Sequence, residues 1–203
     1  MKKYCFTGEE ITLDEPFCIT GRREPVILKR IMALVDIPEH GVDAGDLGGF
    51  IEKEDNLSQD GNAWVAGNAY VFSEAEVCGA ALITDSSWVF HNARIYGHAQ
   101  VYGEARIGGC AQVSGGAEVF EFAHVTSDAR IYRSARIFGK ARIRDRVQVC
   151  GYAKIHGDVT IGGSILISGG ADISGDAFIK CANPTPTDDW DDLDDDFDYD
   201  LGY

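Results

Sequence analysis

The stretch Ala93-Arg94-Ile95-Tyr96-Gly97-His98-Ala99-Gln100-Val101-Tyr102-Gly103-Glu104-Ala105-Arg106-Ile107-Gly108-Gly109-Cys110 decides the fold, because it repeats Ala-x-[Val/Ile]-x-Gly-x three times. The same clock runs outward in both directions. From Val65 to Ile179 all twenty positions spaced by six are Val or Ile; Ala stands two residues before sixteen of them and Gly two residues after twelve. Alternation places Ala and the β-branched residue on one side of a short strand, and Gly supplies backbone freedom at a tight corner. A helix needs apolar spacings of three and four, and an antiparallel barrel needs longer strands, so neither fits. The unit is a short strand plus a turn, stacked many times over.

These hexads resemble the hexapeptide-repeat proteins. The resemblance implies a left-handed parallel β-helix in which three hexads make one triangular coil of eighteen residues; the handedness comes from the resemblance, since parallel crossovers are otherwise right-handed. Twenty hexads then give about six to seven coils and a rod of roughly 30 Å at the ~4.8 Å strand spacing. The expected fold is all-β, with an N-terminal β-rich capping segment at residues 1–56, the β-helix at 57–181 and a disordered acidic tail at 182–203. Within the cap, Val26-Ile27-Leu28-Lys29-Arg30-Ile31-Met32-Ala33-Leu34-Val35-Asp36-Ile37 reads as strand rather than buried helix from its β-branched content. An atypical segment is expected there because a solenoid end exposes strand edges and core. The run from Gly45 to Val65, with Arg30-Ile31-Met32-Ala33-Leu34, is similar to the entry segment of a bacterial and phage subgroup commonly labelled as transferases.

Composition sets the outer limits. The chain has 203 residues and a formal charge of −15, which argues against a general binder of phosphate backbones. The charge is unevenly placed: −6 over residues 1–60, zero over 61–181 and −9 over 182–203. No signal-peptide pattern and no apolar run of membrane-spanning length is present, so a soluble, cytoplasmic protein is expected. The six cysteines form no C-x-x-C pair and read as scattered thiols rather than disulfides or a zinc site.

The resemblance raises an enzymatic expectation, because many hexapeptide-repeat proteins are trimeric acyltransferases with a His as general base in an intersubunit cleft and an acyl-thioester donor. In the repeat frame, however, His91, His98, His124 and His156 occupy four different registers, and His40 lies outside the array. No catalytic residue is assigned, and His156, flanked by Lys154, is the fallback base. No metal site is expected, since the histidines do not converge as tetrahedral ligands must, and no cofactor is called for. The uninterrupted clock leaves no lid loop, and the paired glycines Gly108-Gly109, Gly162-Gly163 and Gly169-Gly170 are corners rather than phosphate cradles.

The surface is more informative. At the eighteen-residue spacing Tyr102, Phe120 and Phe138 form an outward column that His156 continues; Phe72 and Phe90, flanked by Tyr70 and Trp88, form another, and Tyr96 and Tyr132 share a third. Contiguous exposed aromatics suit self-association, a trimer being usual for this fold, or a partner surface. Arg130, Arg133, Arg136, Lys140, Arg142, Arg144 and Arg146 fall within about one coil and point to all three faces, a girdle rather than the stripe that a nucleic-acid track requires. In the tail, nine Asp surround Trp190, Leu193, Phe197 and Leu201, which recur at spacings of three and four, with Tyr199 and Tyr203 beside them. Such a segment suits capture of a basic protein partner or docking on the girdle. The sequence therefore reads first as a non-enzymatic protein-binding module. A phage source would make inhibition of a host nucleic-acid-binding or defence protein its specific form, with an acyltransferase and a structural scaffold as the alternatives.

Overall fold

The computed structural model describes residues 2–13 and 25–181. They form a parallel β-solenoid of about seven turns whose twenty short strands run from β4 (Trp64–Val65) to β23 (Phe178–Lys180). Three strands precede it: β1 (Tyr4–Leu13), β2 (Val26–Ala33) and β3 (Leu47–Ile51). Successive strands go to successive faces, so each strand pairs in parallel with the strand eighteen residues away, as in Arg106↔His124 and Gln100↔Glu118. The first face carries β4 and its stacked partners, the second begins with β3, and the third begins with Glu76–Val77. Among the described residues no helix is long and apolar enough to cross a membrane.

The core follows directly from the clock. Each Val or Ile from Val65 to Ile161, and the residue two before it (Ala except at Ser87, Val147 and Val159), is fully buried, which fills the triangular interior with two ladders per face. The coils are joined by a regular lattice in which three N–H groups per hexad reach the next coil, as Trp64, Ala66 and Asn68 donate to the carbonyls of Ala81, Ile83 and Asp85. A register slip of one residue would turn every ladder outward, so the hydrophobic pattern fixes the pairing.

The N-terminal cap closes the first coil. β1 and β2 form an antiparallel hairpin, β2 pairs antiparallel with β3, and β3 joins the second face in parallel, Ile51 opposite Val71. The first coil presents carbonyls, and the cap supplies donors to them. Lys3 Nζ donates to the Ala63 carbonyl at 2.8 Å, Asn56 Nδ2 to those of Ser73 and Ala75, and the N–H groups of Phe50, Glu52 and Ser58 to those of Ala69, Val71 and Val77. Burial of Lys3 pushes its pKa down to about 8. Gly48 and Gly49 permit the close approach of β3, since a Cβ on Gly48 would lie 2.6 Å from the Val65 carbonyl and one on Gly49 2.7 Å from that of Ala69.

The even residues Val26 and Leu28 of β2 pack with Phe50, Phe72 and Phe90 into a second, smaller core on the outside of the second face. This corrects the expected outward column. Phe72 is 1% and Phe90 9% exposed, and both lie in that core rather than forming an open oligomer or partner surface. The six-residue clock places them outside the solenoid; the hairpin, which the clock does not encode, covers them.

The corners show where the lattice overrides local preference. All nineteen corner positions from Gly67 to Gly175 have positive φ, and seven of them are not glycine: Ser73, Asp85, His91, Glu121, Ser127, Arg133 and Asp145. A side chain in this region costs about 1–2 kcal/mol. Four of the seven offset it by accepting the corner N–H of the next coil: Asp85 from Gly103 at 2.9 Å, Glu121 from Gly139 at 2.8 Å, His91 Nδ1 from Gly109 at 3.3 Å, and Asp145 from Gly163. Arg133 has no side-chain acceptor to offer. Arg133→Gly is therefore expected to raise stability by about 0.5 kcal/mol, the strain relief exceeding the added entropy of glycine, whereas Asp145→Gly should gain nothing because it also removes a hydrogen bond. Paired denaturant titrations of the two variants check the difference.

Candidate binding surface

On the first face the position following each core Val or Ile carries Tyr102, Phe120, Phe138 and His156 in four consecutive coils. Their rings are stacked with centroids 4.8, 4.9 and 4.6 Å apart and planes within 3°, 3° and 7° of parallel. The spacing is that of neighbouring strands and lies in the range of offset stacking. The backbone lattice thus holds four rings in contact without any ring choosing its partner. Phe120, in the middle, is 9% exposed, and the other three are half-buried. Ring faces inside the ladder are spent on their neighbours.

A polar column runs beside the ladder and pins it. Arg136 lies over Phe120 and Phe138 at 5.2 and 5.8 Å while its Nε donates to Glu118 at 3.0 Å. The Tyr102 hydroxyl donates to the same carboxylate at 3.3 Å, and burial, followed by the Glu118 charge, raises the Tyr102 pKa. At the other end His156 Nε2 lies 3.0 Å from Asp172 Oδ1. Both side-chain pairs span sixteen residues, a diagonal from the outward position after one core residue to the outward position before another in the next coil. That diagonal was present in the sequence, but reading straight eighteen-residue columns misses it.

The basic residues encircle the rod: Arg130 lies on the third face, Arg136 on the first and Arg142 with Arg144 on the second, while Arg133 sits at a corner. Lys140 and Arg146 occupy the turns that follow the first-face and second-face strands. Arg136 is committed to Glu118. Arg142 and Arg106 flank His124 on either side, and burial together with these two guanidiniums pushes its pKa down to about 4. His124 is thus neutral near pH 7 and poor as a base.

Two of the remaining histidines have local partners. His98 Nδ1 lies 2.8 Å from Glu39, which also accepts from Asn62 Nδ2 at 2.9 Å, tying the loop after β2 to the first and third faces. His91 serves as a corner acceptor. Among the described residues no group of three His, Cys, Asp or Glu side chains is placed to hold a metal ion. A hollow of about 530 Å³ lies where the cap meets the third face, bordered by Glu54, Asp55, Glu74 and Glu76. Three of these are paired, with Lys2, Lys53 and Arg94 respectively, and the lining suits no anionic donor. The tail residues Trp190, Leu193, Phe197, Tyr199, Leu201 and Tyr203 lie outside the described residues.

A scan against protein-family models finds no match, and no curated protein sequence matches the chain.

The ladder's internal energy is measurable apart from any partner. In a double-mutant cycle of Phe120→Ala and Phe138→Ala, read by denaturant unfolding, the coupling is expected at about 0.5–1.5 kcal/mol, the range for stacked aromatic pairs. A coupling near zero would show that each ring contributes only by its own burial.

Proposed function

We propose that this protein is a non-enzymatic binding module of hexapeptide-repeat type: a left-handed β-helix that associates as a trimer and presents a rigid surface and an acidic tail to a protein partner. The observation that carries this reading is the ladder of Tyr102, Phe120, Phe138 and His156, fixed by stacking and by carboxylates at both ends, with ring edges left toward solvent. A preorganised aromatic edge loses little entropy on contact, which suits an interface. Inhibition of a host nucleic-acid-binding or defence protein fits the tail's composition, since nine carboxylates with interleaved aromatics match a basic groove. The reading predicts that Phe138→Asp lowers the assembly state in sedimentation velocity, and that deleting residues 184–203 weakens capture of the partner at least tenfold. An unchanged trimer together with unchanged capture would overturn it.

One observation favours an acyltransferase as the second reading. Asp172 on His156 Nε2 would orient the ring and leave Nδ1 free to accept a proton from a hydroxyl or amine, the arrangement a general base needs. Against it stand the stacking of His156 on Phe138 and the uninterrupted array, which provides no loop to close over a donor. A thermal-shift titration with coenzyme A separates the two. No shift is expected; a shift that disappears in His156→Ala would favour the acyltransferase over the binding module.

A further inference from the structure

The two ends of the solenoid are chemically different. Because three N–H groups per hexad point toward the following coil, the first coil exposes mainly carbonyls and the last coil mainly N–H groups. At the N-terminal end the cap meets carbonyls with donors: Lys3, Asn56 and the N–H groups of Phe50, Glu52 and Ser58. At the C-terminal end the N–H groups of Leu166, Ser168, Gly170, Asp172, Ser174 and Phe178 have no acceptor among the described residues. The core also opens there: Ala171, Ile173, Ala177 and Ile179 are half-buried, although their counterparts lower in the stack are fully buried. Leu166 and Phe178 on the same coil are each 62% exposed.

We propose that this end is a docking site whose occupant is the chain's own residues 182–203, with Asp carboxylates accepting from the exposed N–H rows and Trp190, Leu193 and Phe197 covering the open core. Three features select this occupant. The chain leaves the last coil at Cys181, so the segment starts at the site and its twenty-two residues exceed what is needed to cross the end of one coil. Its chemistry is the complement of the N-terminal cap: acceptors without a single Lys or Arg, plus large apolar side chains at spacings of three and four. A second copy fits poorly, because end-to-end stacking sets N–H rows against N–H rows, and head-to-tail stacking meets an N-terminal end already covered by β1–β3. Anchoring through the apolar side chains would gather the remaining carboxylates into an acidic collar at the end of the rod. In this respect the inference deepens the reading of the tail as a contact element, yet its test needs no partner and so stands or falls separately.

The test is hydrogen exchange followed by mass spectrometry on the full chain, native against the triple variant Trp190→Ser, Leu193→Ser, Phe197→Ser, which keeps every carboxylate. Amides of residues 166–180 should exchange at least tenfold faster in the variant, while those of 65–160 are unchanged and report that the solenoid is folded. A second variant, with the nine tail Asp changed to Asn, should also lose protection in 166–180. Equal exchange of 166–180 in native and triple-variant chains overturns the proposal. Protection that grows with protein concentration also overturns it, since the occupant would then be another copy.

Discussion

One hydrogen-bond lattice determines where every side chain of the array stands. Each coil donates upward from fixed positions, so a residue's place in its hexad decides whether it is core, outer face or corner before its own chemistry is consulted. Val and Ile fill the core because their branched side chains pack on a short strand, and Ala two residues earlier leaves room at the triangle's vertex. The same lattice forces seven side chains into left-handed backbone and then supplies some of them with a compensating N–H one coil away. Corner residues with carboxylates are therefore partners of the coil above as well as strained positions.

Much of this was legible in the sequence, and the limits are physical. Twenty Val or Ile positions announced the coils, and the eighteen-residue frame placed Tyr102, Phe120, Phe138 and His156 in one column, where the structure stacks them. Phe72 and Phe90 were placed outside the solenoid by the same frame, yet they are buried by Val26 and Leu28, forty or more residues earlier in the chain. No periodicity carries a contact of that kind. The polar closure by Lys3 and Asn56 was equally silent, because a donor aimed at a strand-edge carbonyl has no composition signal. The pairing of His156 with Asp172 was encoded, but only along a diagonal.

The lattice also bears on dynamics. A stack in which each coil touches only its neighbours has no hinge, and the loops between the strands from Trp64 onward are of the minimum length that turns a corner. Chemistry that requires closure over a substrate would need a loop added to this array, whereas recognition by a rigid edge needs nothing more than the array supplies. The His156–Asp172 pair closes one end of the ring ladder, with His156 stacked on Phe138 and its Nε2 3.0 Å from Asp172.

The net −15 is absent from residues 61–181, which sum to zero, and stands instead in the segments at either side. A neutral rod exerts little long-range field, and at physiological salt a charge is felt over about 8 Å, so the acidic segments act as local features and do not set the character of the whole surface. Within the rod the cations are gathered around one coil, and Arg142 beside Arg106 and neutral His124 gives the second face a positive strip without a carboxylate in its column. Along its sides the rod thus carries two separate chemical surfaces, stacked rings on the first face and guanidiniums on the second. Each is fixed in space by the same repeat, so the repeat sets their separation as well as their chemistry.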